Sequence, residues 1–165
     1  MTKKLTISAL LVALAMIFSY IEVLIPFNFG IPGIKLGLAN LIVVVAMYLL
    51  GTRQAFMISM VRIILVAFTF GNLAALLYSI AGGILSFVVM TLCRRIKGLS
   101  VMGVSVAGGV SHNIGQIIVA VLVVENMNLL FYVPVLIIAG VVTGLLIGLV
   151  AGLVLPAVKK AFHLY

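Results

Sequence analysis

Residues 54–93 read QAFMISMVRIILVAFTFGNLAALLYSIAGGILSFVVMTLC, forty residues with a single charge, Arg62. A helix needs about 20 apolar residues to cross the roughly 30 Å hydrocarbon core of a bilayer, so this run is too long for one crossing and long enough for two. Gly71 and Asn72 are its natural break. The reading predicts helices over 54–70 and 73–93. A membrane β-strand would alternate polar and apolar residues, and the run does not, which favours helices over a barrel.

The same logic extends outward in both directions. An apolar run over 5–25 is stopped by Pro26, and two prolines and two glycines punctuate residues 26–33, which predicts a loop. A further span over 34–50 ends before Gly51. Downstream, 99–124 is bounded by Glu125 and Asn126, and 130–158 completes the set. The expected fold is therefore all-α: one transmembrane domain over 1–165, a polytopic membrane protein built as a bundle of about six transmembrane helices. Composition agrees, because 66% of residues are hydrophobic and 7% are charged, with a mean hydropathy of +1.50. A water-soluble domain typically carries about 25% charged residues. The spans over 34–50 and 54–70 are short, roughly 25 Å each, and are expected to tilt little or to line a thin region.

The formal charge of +8 is distributed as a topology signal. Lys3, Lys4, Arg53, Arg94, Arg95, Lys97, Lys159 and Lys160 all sit at the ends of apolar runs. Six crossings from a cytoplasmic N-terminus put every one of these on the inside, together with the C-terminus, whereas five or seven would strand a basic cluster outside. Once those residues anchor helix ends, no basic face remains for nucleic acid. The stretch after Lys3 and Lys4 is longer than the apolar core of a signal peptide, so it reads as a retained first helix. Cys93 is the single cysteine, which excludes an internal disulfide and a multi-cysteine metal site.

Small residues recur at helical spacing. Gly140, Gly144, Gly148 and Gly152 stack on one face of the last span, where helix backbones can approach closely, either within the chain or toward a partner. Ala9 and Ala13 make a similar pair in the first span, and Gly82 with Gly83 and Gly108 with Gly109 mark other close contacts.

Polar groups at membrane depth are expensive and mark partners, cavities or paths. Arg62 lies mid-span, too deep to snorkel to either surface. Left unpaired it would cost about 2.5 to 3.5 kcal/mol on insertion scales. Three partners would offset this: Glu22 as an ion pair, backbone carbonyls, or an anionic or carbonyl-bearing ligand, which the planar guanidinium suits. The 99–124 span carries Ser111, His112, Asn113 and Gln116, of which His112 and Gln116 share a face. Lys35 and Asn40 add to an outward set with Tyr20, Glu22, Asn28 and Asn72; the last two are also plain turn formers. We take Glu22, Lys35, Asn40, Arg62, His112, Asn113 and Gln116 as candidate ligand-binding residues, with Arg62 and Lys35 suggesting an anionic group. No metal site is expected, because the other histidine, His163, lies in the C-terminal tail. No nucleophile with a base, phosphate loop or cofactor motif appears, and the chain has only two acidic residues, Glu22 and Glu125, so binding is expected and catalysis is not.

The segment Ile31-Pro-Gly-Ile-Lys-Leu-Gly-Leu-Ala-Asn40, followed by an apolar helix ending at Gly51, resembles the bacterial membrane family labelled Gx transporter, also filed as heptaprenyl diphosphate synthase component I. The resemblance covers most of the chain. That family in turn is similar to the substrate-binding (S) components of energy-coupling factor transporters. This implies a six-helix protein that captures a vitamin-like micronutrient near the outer face of the bacterial cytoplasmic membrane and docks on a transmembrane coupling protein served by two ATPases. An alanine-xxx-alanine pattern in the first helix of S components contacts the coupling protein, and Ala9 and Ala13 match it. The family's other label implies instead an accessory subunit of a prenyl diphosphate synthase, and a membrane partner of a flavin or quinone redox system is a third possibility. Prenyl transfer uses carboxylates to hold magnesium on diphosphate, and two separated glutamates do not supply that.

Overall fold

The computed structural model describes residues 2–24 and 37–162, and every regular element among them is helical. They are α1 (Thr2–Leu24), α2 (Asn40–Leu49), α3 (Thr52–Thr69), α4 (Leu73–Cys93), α5 (Val101–Val124), a 3-10 helix (Met127–Tyr132) and α6 (Val133–Ala161). Five of these segments are long and apolar enough to cross a membrane. Large apolar side chains such as Leu5, Phe68, Phe131 and Leu153 point outward. In water such a surface would aggregate; in a bilayer it faces acyl chains. The chain is a multi-pass, all-helical membrane protein.

The break in the forty-residue run is made by Asn72, which caps α4: its backbone is extended, and its side-chain oxygen accepts the N–H of Ala75 at 2.8 Å. Ser100 caps α5 in the same way, accepting from Gly103 N at 3.2 Å. Such a cap satisfies one of the N–H groups that a helix start leaves open. Replacing Asn72 with Ala is expected to destabilise the protein by about 1 kcal/mol, seen as a fall of roughly 2–4 °C in thermal melting.

The largest departure from the sequence expectation is α2. A membrane-length helix was expected over 34–50; residues 34–36 lie outside the described set, and the helix begins only at Asn40. Gly37 has φ +81°, which L-residues rarely adopt, and the chain turns through Leu38 and Ala39 with Asn40 N donating to Gly37 O at 2.8 Å. The ten-residue helix is about 15 Å long, half the hydrocarbon thickness. Its consecutive residues Ile42 to Met47 are all buried, so it packs among α1, α3 and α6 with no lipid-facing side. Non-helical backbone at membrane depth survives only where protein or a cavity surrounds it, and the Gly37 turn has both. At the other end, Arg94 from the end of α4 donates to Met47 O at 2.7 Å and lies 4.9 Å from the centre of the Tyr48 ring. A cation there complements the C-terminal end of the helix.

Three of the four stacked glycines explain how α5 meets α6. A Cβ on Gly140 would lie 2.8 Å from Val110 Cα, one on Gly144 2.6 Å from Val106 Cα, and one on Gly148 2.5 Å from Met102 Cα. The two helices run antiparallel with one contact per turn, and no side chain fits between them. Gly152 has nothing within 4 Å, because the next rung would meet the chain before α5 begins at Val101.

Candidate functional site

A polar cavity lies at the end of the bundle away from the basic clusters. The last turn of α1 contributes Glu22, the entry to α2 contributes Gly37 and Asn40, and α3 contributes Arg62, Ile63, Val66 and Ala67. Gly71, Ala75 and Ser79 close one side, and His112 and Gln116 of α5 form the floor. Its space, mouth included, is ≈ 460 Å³, but the enclosed part has room for only about one or two water molecules.

Small residues let the helices come close enough to build this wall. α4 and α5 cross at Gly82 and Gly115, where a Cβ on Gly115 would lie 2.9 Å from Gly82 Cα. A Cβ on Gly82 would lie 2.8 Å from Gln116 Cγ and 3.1 Å from His112 Cε1, so the missing side chain is the space in which His112 and Gln116 sit. On α1 the buried residues Ile7, Leu11, Ala15, Ser19 and Glu22 share one face. That face carries the Ser19 hydroxyl and the Glu22 carboxylate to the site.

Arg62 Nη1 donates to Ser19 Oγ across a long 3.4 Å, and the guanidinium interacts electrostatically with Glu22. Glu22 Oε1 also accepts the backbone N–H of Gly37, which ties the end of α1 to the turn before α2. Arg62 and Gln116 are 8% and 1% exposed, and His112 is 5% exposed. Each nevertheless holds a buried polar atom with no hydrogen-bond partner among the described residues: Arg62 Nε, Gln116 Oε1 and His112 Nδ1. Buried polar atoms are nearly always satisfied, and three of the four unpartnered side-chain atoms among the described residues, all but Thr91 Oγ1, belong to residues lining this one cavity.

Five of the seven candidate residues, Glu22, Asn40, Arg62, His112 and Gln116, line this cavity together. Lys35 lies outside the described residues. Asn113 turns elsewhere: its Nδ2 donates to Leu136 O at 2.8 Å, tying α5 to the first turn of α6. It borders a second, smaller cavity with Ser86, Ser105 and Thr143, which Asn40 and His112 separate from the first. Ser111 bonds back to Ala107 O in its own helix at 2.6 Å, and Asn72 acts as a cap.

Ser19 and Ser79 were not singled out from the sequence. Their signal was present: Ser19 stands three residues before Glu22, and Ser79 stands one turn before the Gly82-Gly83 pair. A serine in an apolar helix is too common to stand out without a neighbour, and those neighbours come from other helices. Among the described residues no group of three or more His, Cys, Asp or Glu side chains is placed to hold a metal ion. Ala9 and Ala13 are exposed on the face of α1 away from its buried stripe.

No curated protein and no solved structure matches the chain. A family model described as Heptaprenyl diphosphate synthase component I matches residues 11–154. By that match over most of its length, the chain belongs to the heptaprenyl diphosphate synthase component I family.

Proposed function

We propose that the chain is the membrane-embedded substrate-binding subunit of a small-molecule uptake transporter, energised by a partner module. The observation that carries this reading is the cavity, in which Arg62, His112 and Gln116 converge from α3 and α5 with unsatisfied buried atoms. Membrane proteins keep such groups at depth for ligands, ions or proton paths. The enclosed space is too small for a vitamin-sized molecule, for which about 300 Å³ or more is usual. Under this proposal the described arrangement is a closed one, whose walls part to admit a ligand. In this reading the chain performs no chemistry itself, and it needs no cofactor.

The partner reading rests on α1. Ala9 and Ala13 face outward in the half of the helix near Lys3 and Lys4, where a second helix backbone can approach closely, and the resemblance to S components supplies the expected partner, a coupling protein with ATPases. The basic clusters at Lys3 and Lys4, Arg53, Arg94 to Lys97 and Lys159 and Lys160 support cytoplasmic N- and C-termini in a bacterial cytoplasmic membrane. Replacing Ala9 and Ala13 together with Leu is expected to abolish co-purification with an energy-coupling module while leaving ligand binding unchanged. Retained co-purification removes the transporter assignment.

The family description favours a second reading, an accessory membrane subunit of a prenyl diphosphate synthase. Its test is prenyl chain elongation by the soluble synthase with and without this chain in the membrane. Dependence of the product on this chain decides for the second reading.

A further inference from the structure

The three orphaned atoms say more about the ligand than that it is held by an arginine. Arg62 Nε is a donor, Gln116 Oε1 is an acceptor, and His112 Nδ1 takes either role according to its tautomer. Both Arg62 and Gln116 are more than nine-tenths buried and line one small cavity. A carboxylate, like a fully ionised phosphate, only accepts hydrogen bonds. It would serve Arg62 but has no N–H for Gln116 Oε1, which stays an unsatisfied buried acceptor in the amide orientation of this structure. The Glu22 carboxylate on the same wall would also repel it. The enclosed space further limits what enters to a compact edge of a molecule rather than a hydrated, three-oxygen head group.

We infer that the group recognised between Arg62 and Gln116 is an uncharged donor–acceptor pair, a C=O beside an N–H, as in a lactam, cyclic urea or pyrimidine-dione ring. The carbonyl accepts from Arg62 Nε, and the N–H donates to Gln116 Oε1. Asn40 and His112, which separate the two cavities, border the same ring on its inner side. The inference rests on the reading of this cavity as a ligand site, and it departs from the anionic ligand that Arg62 and Lys35 suggest in the sequence. A site that hydrogen-bonds both partners rejects an analogue lacking one of them far more strongly than an apolar pocket would.

The test uses the full-length protein in lipid nanodiscs and saturation-transfer NMR with four probes: 2-imidazolidinone, its 1,3-dimethyl derivative, acetate and inorganic phosphate. The expected result is binding of 2-imidazolidinone, with the dimethyl derivative, which keeps the carbonyl and loses both N–H groups, weaker by at least about tenfold. Gln116→Leu should remove the preference between the two. Because the probe series is run on the unmodified chain, it does not depend on that variant folding. Equal binding of the two ureas overturns the inference. So does binding of acetate or phosphate in place of 2-imidazolidinone, an outcome that leaves the ligand-site reading standing. If none of the four probes binds, the inference falls, and if Arg62→Gln also leaves unchanged the fraction of gently purified protein that carries a bound small molecule in native mass spectrometry, the ligand-site reading falls with it.

Discussion

Replacing Arg62 with Leu is expected to weaken small-molecule binding by about 10- to 100-fold while the protein still folds. Arg62 is 8% exposed, and among the described residues its one side-chain hydrogen bond is the 3.4 Å contact to Ser19 and its Nε has no partner. A charge-assisted hydrogen bond to a ligand contributes about 1.5–3 kcal/mol, and each 1.4 kcal/mol is a factor of about ten in affinity. The fold should tolerate the change, because the roughly 2.5 kcal/mol or more saved by not inserting a guanidinium offsets much of the cost of leaving the buried Glu22 carboxylate without this cation. Glu22 keeps the Gly37 N–H in the variant. Arg62→Lys should recover little, since an ammonium supplies no planar N–H in the position of Nε. The measurement is native mass spectrometry of gently purified wild type and variant, comparing the fraction carrying a bound small molecule, beside a melting curve for each. Equal occupancy in a folded variant would remove Arg62 from the site.

Gly144→Val, at the middle rung of the α5–α6 ladder, should produce a large loss of stability. The first added carbon would lie 2.6 Å from Val106 Cα and 2.9 Å from Ser105 O, both on α5. Neither is the end of a flexible side chain, so the two helices must separate. Separation at Gly144 also opens the contacts at Gly140 and Gly148, which belong to the same antiparallel ladder. Overpacking of this kind costs about 1–3 kcal/mol, which corresponds to a fall of roughly 2–12 °C in melting temperature. Gly152→Val is the internal control, with open space at its Cβ and no expected change. Similar melting of the two variants would mean that the α5–α6 contact does not hold the bundle together.

Much of the site was legible because charge in an apolar chain is conspicuous. Arg62, Glu22 and His112 stand out by residue type alone, and His112 and Gln116 share a face by spacing. Asn113 shows where this kind of reasoning ends. It is one residue from His112, and a rotation of about 100° along the helix turns it from the cavity wall to the Leu136 carbonyl. Spacing says that two residues point differently, but only the packed neighbours say at what. Ser19 and Ser79 were overlooked for the same reason.

The amino-acid sequence by itself determined the class of protein. Twelve charges in 165 residues cannot cover a soluble globule, so the helices must be membrane-embedded, and the Asn72 cap divides the longest run by local chemistry. Tertiary structure alone decided that α2 is a buried helix of half length, that three glycines of the α6 stripe are consumed by α5 while Gly152 stays open, and that five polar residues close on one cavity. The physical reason is that hydropathy and helix capping act along the chain, over a turn or two. Burial, helix approach and the meeting of Arg62 with Gln116 depend on which faces of distant helices come together.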